Sequence, residues 1–251
     1  MLQRISHLQT NNHQTIMTSF SLKFLSSRFS ALSVILIALA FTSCKKEDTV
    51  DPTLSALRVI NASPSSATYN VYLDGSLINA AELPFAGSLS YVQKTAGTYS
   101  LKFTTGSSVE SLLTKSINMN QSVYQSFFLI NKPGALDGLY VTDDLNVPSA
   151  DKAYIRFVNL SPDAPALDLA KTGATTALIT NKAFKVASSF ISIDPGTYSF
   201  DAKDTSTGLI KTTLSSTTFV AGYHYDVICG GLISPANDTE RALTLQALLI
   251  K

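Results

Sequence analysis

Tryptophan is absent from this chain, cysteine occurs only twice and histidine only three times. Each shortage removes a class of chemistry. Cys44 and Cys229 are the whole thiol inventory, so at most one internal bridge exists, and none once Cys44 is modified as argued below. The fold must therefore rest on hydrophobic cores. Beyond residue 44 the only imidazole is His224. One His and one Cys cannot assemble a Cys/His zinc site. A Ser-His-Asp triad would have to use His224, yet no Gly-x-Ser-x-Gly elbow presents a serine. No glycine-rich loop ends in Lys-Ser/Thr to cradle phosphate. Charged residues make up only 15% of the chain. Three of the 19 basic residues, Arg4, Lys23 and Arg28, precede Cys44, which leaves 16 against 18 acidic residues and a net charge of −2. Nucleic acid, which calls for a basic patch or stripe, is not an expected partner.

What the chain does contain begins with an apolar run, Ala31–Phe41, that leads into Thr42-Ser43-Cys44. The run is about eleven residues long, inside the roughly 7–15 of a signal-peptide core and short of the roughly 20 that span a bilayer as a helix. Lys23 and Arg28 precede it. Phe41-Thr42-Ser43-Cys44 resembles a lipobox. That resemblance implies thioether lipidation of Cys44, cleavage after Ser43, and a membrane anchor of two or more acyl chains, palmitate among them, each buried methylene contributing about 0.8 kcal/mol. Residues 1–16 are polar and fit poorly before such a signal, so Met17 is the expected start. Lys45-Lys46-Glu47-Asp48 resembles the export signal of Bacteroidetes lipoproteins, and Asp48-Thr49-Val50 resembles their O-glycosylation motif. The expected location is the outer membrane with the protein displayed at the cell surface; the alternative is the periplasmic face.

The rest of the chain repeats itself. Leu57-Arg58-Val59-Ile60-Asn61-Ala62-Ser63-Pro64 aligns with Ile155-Arg156-Phe157-Val158-Asn159-Leu160-Ser161-Pro162 at an offset of 98. Ala96–Leu101 aligns with Pro195–Phe200 at 99, and Tyr124–Phe128 with Tyr225–Cys229 at 101. The residues between the landmarks are rich in Ser, Thr, Val, Leu and Tyr, lack a helical period, and alternate between short apolar runs and turn signals. The expected fold is all-β: two tandem β-sandwich units of immunoglobulin-like or prealbumin-like type. The divisions are 1–43 signal peptide, 44–54 lipidated N-terminus and tether, 55–147 unit 1 and 148–251 unit 2, with the boundary in the polar stretch 143–151. Strands are expected near 56–62, 69–74, 88–93, 98–104, 109–117, 123–130 and 138–142. In the second unit they fall near 154–160, 166–170, 186–192, 197–203, 209–218, 224–230 and 242–249.

Recurring residues have structural explanations. Gly97 and Gly196 suit tight entries into strands, and Tyr99 and Tyr198 can each bond a nearby backbone group, as in a tyrosine corner. Asn61-Ala62-Ser63-Pro64 and Asn159-Leu160-Ser161-Pro162 end strands with side chains that satisfy turn backbone. Arg58 and Arg156 are expected to lay their stems on apolar surface with heads wet or paired. Cys229 reads as a buried, inert small hydrophobe, and His224 as a half-exposed sheet residue. Asp143, Asp144 and Asp151 could ligate calcium between units, but without an Asp-x-Asp-x-Asp-Gly pattern they read as solvated linker. Asp201 and Asp204 flank a turn. Tyr69, Tyr72, Tyr91 and Tyr140 are expected to pack on the sheets with hydroxyls at the rim. No catalytic, cofactor or metal site is expected.

Arg58–Pro64 continuing to Asn70-Val71-Tyr72-Leu73-Asp74-Gly75, and Arg156–Pro162 continuing to Asp163-Ala164-Pro165-Ala166-Leu167-Asp168-Leu169, resemble the bacterial domain-of-unknown-function family 4397. The resemblance covers most of residues 55–250. It implies a secreted or surface-anchored β-sandwich and brings no catalytic residues. The second copy departs after Leu169, where Lys171-Thr172-Gly173 replaces the Asp-Gly turn. The combined expectation is a non-enzymatic lipoprotein acting in binding, adhesion or envelope structure. Its partners are the membrane, other envelope proteins or glycans. The alternative is a glycan-binding accessory of an outer-membrane uptake system, and a third reading is an enzyme with an unrecognised carboxylate site.

Overall fold

The computed structural model describes residues 53–250; Cys44, the apolar run and most of the tether lie outside them. Every regular element among the described residues is a strand. The first repeat contains β1 Leu54–Asn61, β2 Asn70–Leu73, β3 Ser76–Leu77, β4 Val92–Thr95, β5 Gly97–Thr104, β6 Leu113–Met119, β7 Tyr124–Ile130 and β8 Asp137–Asp143. The second contains β9 Ala153–Asn159, β10 Leu167–Lys171, β11 Ile179–Lys182, β12 Val186–Ala187, β13 Ile191–Ile193, β14 Gly196–Asp204, β15 Ile210–Phe219, β16 His224–Gly230 and β17 Thr244–Leu249.

These strands form four sheets: β3-β2-β5-β6 and β4-β1-β7-β8 in the first repeat, β11-β10-β14-β15 and β12-β9-β16-β17 in the second, the last with β13 also paired to β9. Each repeat is a two-sheet sandwich, and its first strand runs parallel to its penultimate one, β1 beside β7 and β9 beside β16. Leu57, Val59, Phe127 and Leu129 fill the core of the first sandwich, and Ile155, Phe157, Val227 and Cys229 that of the second. The alternate residues on the same strands, Ile60, Phe128, Ile130, Val158 and Ile228, meet in a third core between the two sandwiches. The sheets carrying β1 and β9 are thus covered on both faces, which is why these strands are apolar without alternation. The described residues, 53–250, form one compact body.

Strand pairing corrects one alignment. Arg58 lies opposite Ser126, and Arg156 opposite Asp226. Position 124 therefore corresponds to His224, an offset of 100 and not 101. The one-residue slip matters because successive strand residues point to opposite faces. Tyr225 faces the second core, whereas His224 shares its face with Asp226 and Ile228, toward the first repeat.

Other differences have local causes. The strand expected near 109 starts at Leu113, because residues 105–112 form the hairpin loop that closes with Leu112 N donating to Phe103 O at 2.9 Å. The strand expected over 186–192 splits, because the Ser188 hydroxyl accepts from Phe157 N at 3.0 Å in place of a ladder carbonyl. Gly97 and Gly196 both open strands, but only Gly196 has a positive φ, +150°. Tyr99 donates to Thr95 O at 2.8 Å, the corner anticipated. Tyr198 instead carries Lys171 Nζ over its ring, 3.8 Å from the centroid. The Lys171-Thr172-Gly173 turn closes a hairpin into β11, with Gly173 at φ +81° and Ala174 N donating to Lys171 O.

Candidate functional site: a buried ion ring and an open sheet edge

The third core holds a closed ring of polar side chains. Arg58 Nη2 pairs with Asp226 Oδ2, and Asp226 Oδ1 accepts from Arg156 Nε at 2.7 Å. Arg156 Nη2 lies 2.8 Å from Asp143 Oδ1, a contact set by charge more than by hydrogen-bond angle. Asp143 Oδ2 accepts from Ser126 Oγ at 2.6 Å, and Ser126 Oγ accepts from Arg58 Nε at 3.3 Å, which closes the circuit. Two cations face two anions, with Arg58 2% exposed and Asp226 fully buried. Leftover guanidinium donors reach the carbonyls of Leu249 and Thr142. Burial works against the Arg156 charge, yet the Asp226 and Asp143 carboxylates outweigh it and hold that guanidinium above its ordinary pKa. Pairing of this kind is what permits charge in a dry interface at all.

Aromatic rings cap the circuit at matching positions. Tyr91 lies beside Arg58 and donates to Asp143 Oδ2 at 2.6 Å; burial, then the Asp143 charge, pushes its phenol well above the usual range. Phe190 covers Arg156 at 4.7 Å and meets His224 edge-on, as Tyr91 meets Tyr124. His224 is 1% exposed, stacked on Tyr154, with Nε2 3.1 Å from Asn146 O. Its expected half-exposure is corrected: Tyr154, Phe190 and the linker at Asn146 enclose the ring.

The Asp143, Asp144 and Asp151 cluster does not converge. Asp143 turns into the ring, Asp144 caps Asn146 and Asp151 pairs with Ser149. Among the described residues no set of three or more His, Cys, Asp or Glu comes together as a metal site. Cys229 is buried in the second core, and burial pushes its thiol up to about 12. Asp204 caps the turn at Ser206, whose hydroxyl and backbone bonds hold its carboxyl down at about 2. Asp201 is buried beneath the Thr172 and Thr213 hydroxyls. Tyr69 is buried and Tyr72 is half-buried under Lys102.

Tyr140 lines an opening that has a second aromatic residue in its lining. Between the edge strands β6 and β8 lies a cleft of about 420 Å³. Phe127 and Gly138 form its floor, and Asn118, Asn120 and Gln125 its polar wall. Tyr140 donates to Asn118 O at 3.1 Å, and burial pushes its phenol up to about 12. Lys115 Nζ at the rim lies 2.9 Å from Asp137 Oδ1.

Comparison with known proteins adds a family. Residues 55–170 match the family described as domain of unknown function (DUF4397). The match spans the whole first repeat and ends inside β10 of the second. No curated protein matches the chain. Among solved structures, one of alpha-glucan binding by a streptococcal virulence factor is 11% identical, covering 69% of this chain and 93% of that one, with a TM-score of 0.22. One of family 41 carbohydrate-binding modules from streptococcal virulence factors is 10% identical, covering 76% and 96%, also at 0.22. A streptococcal ancillary pilin is 11% identical, covering 78% and 64%, at 0.22. Scores this low establish neither a common topology nor a common ligand.

The Arg pair was visible in sequence as a recurrence; the ring was not. Its signal was a charge at the same alternation as Ile60 and Ala62 in one strand and Val158 and Leu160 in the other, on a face that is otherwise apolar.

Proposed function

We propose that this chain is a non-enzymatic envelope lipoprotein, held on the outer membrane by acyl chains at Cys44 and displayed at the cell surface as a rigid binding or structural module. The observation that carries the reading is the third core. It joins both sandwiches into one body and consumes in packing the groups that chemistry would need. Arg58, Arg156, Asp143, Asp226 and His224 are buried on that side, and Cys229 is buried in the second core. About ten residues of tether at roughly 3.5 Å each keep that body within some 35 Å of the lipid surface. A single thiol at the new N-terminus supplies the nucleophile for the thioether, and two or more chains give stable anchoring.

The test uses whole cells. Wild-type protein is expected to incorporate labelled palmitate, to fractionate with the outer membrane, and to be digested by protease added outside intact cells. Cys44→Ser is expected to lose the label and leave the membrane fraction. Retention of Cys44→Ser in that fraction overturns the anchor. Protection of wild type from protease until the outer membrane is opened moves the protein to the periplasmic face.

A further inference from the structure

We propose that the cleft between β6 and β8 is a binding site for a neutral sugar ring of a glycan. The inference rests on the binding-module reading above and assigns it a ligand class and a place. The argument comes from laying one repeat on the other. In the second repeat the corresponding edge is shut: Leu214 stands where the first has Lys115, and Leu245 where it has Gly138, by the pairings of Leu101 with Lys115, Phe200 with Leu214, Leu129 with Gly138 and Cys229 with Leu245. Both leucines belong to the second core. A β-bulge in β15 between its pairings with Tyr198 and Phe200 brings Leu214 into place, and Thr212 Oγ1 reaches Leu243 O across the seam. In the first repeat Lys115 swings out to Asp137 and Gly138 leaves no side chain.

Part of the vacated volume is taken by Phe127, whose counterpart is the smaller Val227. A Cβ on Gly138 would lie 2.1 Å from its Cζ. The ring is thereby brought beneath a gap in the wall, packed against Phe103 and near Tyr140. What remains is a hollow within the roughly 300–1,000 Å³ of small-molecule sites.

Its chemistry selects the ligand. Of the three carboxamides that line it, Gln125 is buried with both ends bonded within the protein, which leaves Asn118 and Asn120 to meet a ligand, each with a donor and an acceptor end. Asn118 Nδ2 donates to Asn120 Oδ1 at 2.9 Å, which aligns the pair with Asn118 Oδ1 and Asn120 Nδ2 left for a ligand. Gln125 Oε1 accepts from Asn120 N at 3.0 Å and fixes the turn that presents it. No carboxylate or guanidinium lines the hollow, and the one ammonium is paired with Asp137. A charged ligand finds no counter-ion there. A pyranose has the matching surfaces: a C–H face for the half-buried Tyr140 ring, with Phe127 closing the base beneath at 2% exposure, and vicinal hydroxyls that both give and accept hydrogen bonds. In the second repeat Asn118 and Asn120 are replaced by Thr218 and Val220, so polar wall and opening are lost together.

The experiment is an amide NMR titration of the full mature chain with maltose, cellobiose and N,N′-diacetylchitobiose. At least one is expected to give saturable shifts confined to Asn118, Asn120, Gln125 and Tyr140. Asn118→Ala with Asn120→Ala, both at exposed positions, is expected to weaken that binding at least tenfold with the remaining spectrum unchanged. Lys115→Leu with Phe127→Val and Gly138→Leu grafts the second repeat's closure and is expected to abolish it; if that triple variant does not fold, the asparagine pair decides. Absence of saturation by all three sugars, shifts located elsewhere, or equal occupancy by a neutral tetrapeptide pairing with the edge strands overturns the proposal. None of these results touches the lipid anchor, which is read by fractionation.

Discussion

At its open side the first repeat sets Lys115 and Gly138 where the second sets Leu214 and Leu245, while across the buried interface both repeats set an arginine. The contrast separates two kinds of position in a duplicated fold. Residues facing the third core answer to a partner surface and to each other. Residues along the outer edge answer only to their own sandwich, and there the copies have diverged in both polarity and volume. A site that exists in one copy alone is best sought along such an edge.

The interface itself is less even than the arginines suggest, and mutation can measure by how much. Arg156 engages two carboxylates, whereas Arg58 pairs with Asp226 alone. Removing one partner from a buried pair costs about 3–5 kcal/mol, because an uncompensated charge is left behind. Arg156→Ala is therefore expected at or above the top of that range and Arg58→Ala lower in it, by urea unfolding. Equal losses would mean that the ring behaves as one unit without a dominant member.

A smaller effect distinguishes the two strand-opening glycines. Gly196→Val forces a side chain onto φ +150°, a region that costs about 1–3 kcal/mol for other residues, and brings Cβ to 3.4 Å from Tyr198 Oη. Gly97→Val meets nothing closer than 3.6 Å and keeps an ordinary φ. Thermal unfolding is expected to show a clear fall in midpoint for the first and a smaller one for the second. Matched midpoints would show that the glycines are interchangeable and the backbone difference is of no energetic consequence.

The smallest effect concerns the tyrosines two residues on. Tyr99→Phe removes the bond to Thr95 O, worth about 0.5–1.5 kcal/mol. Tyr198→Phe keeps the ring on which Lys171 sits and is expected to be near neutral. A larger loss at Tyr198 would transfer the corner role to the second repeat.

Much of this architecture was legible in the chain. The all-β class and most strand positions follow from period-two patterning and turn chemistry, and β16 was placed to the residue. What was not legible depends on the facing surface. Nothing near His224 announces that Tyr154, Phe190 and the linker at Asn146 enclose its ring. Nothing near Asp143 distinguishes a linker carboxylate from an interface one, since the partner arginine lies thirteen residues on and across a turn. The register of β7 against β16 was misjudged by one residue because Tyr124 and Tyr225 are alike in type, although strand geometry sends them to opposite faces. The cleft was invisible for the same reason: Gly138 reads as an ordinary turn-flanking glycine until Leu245 is found in its place.

The ring carries a further consequence for how such a molecule can arise. If two identical chains met through this same face, each position would hold one residue twice, and Ser126 and Asp226 could not differ. The linker at 144–152 releases that constraint, because the halves are then encoded separately. At this one position the second half supplies an acid and the first a hydroxyl, while the first half brings its own acid from a different strand at Asp143. Covalent joining therefore gives this fold a freedom that no homodimer has: a charge pattern matched across a pseudo-symmetric seam without being repeated on both sides of it.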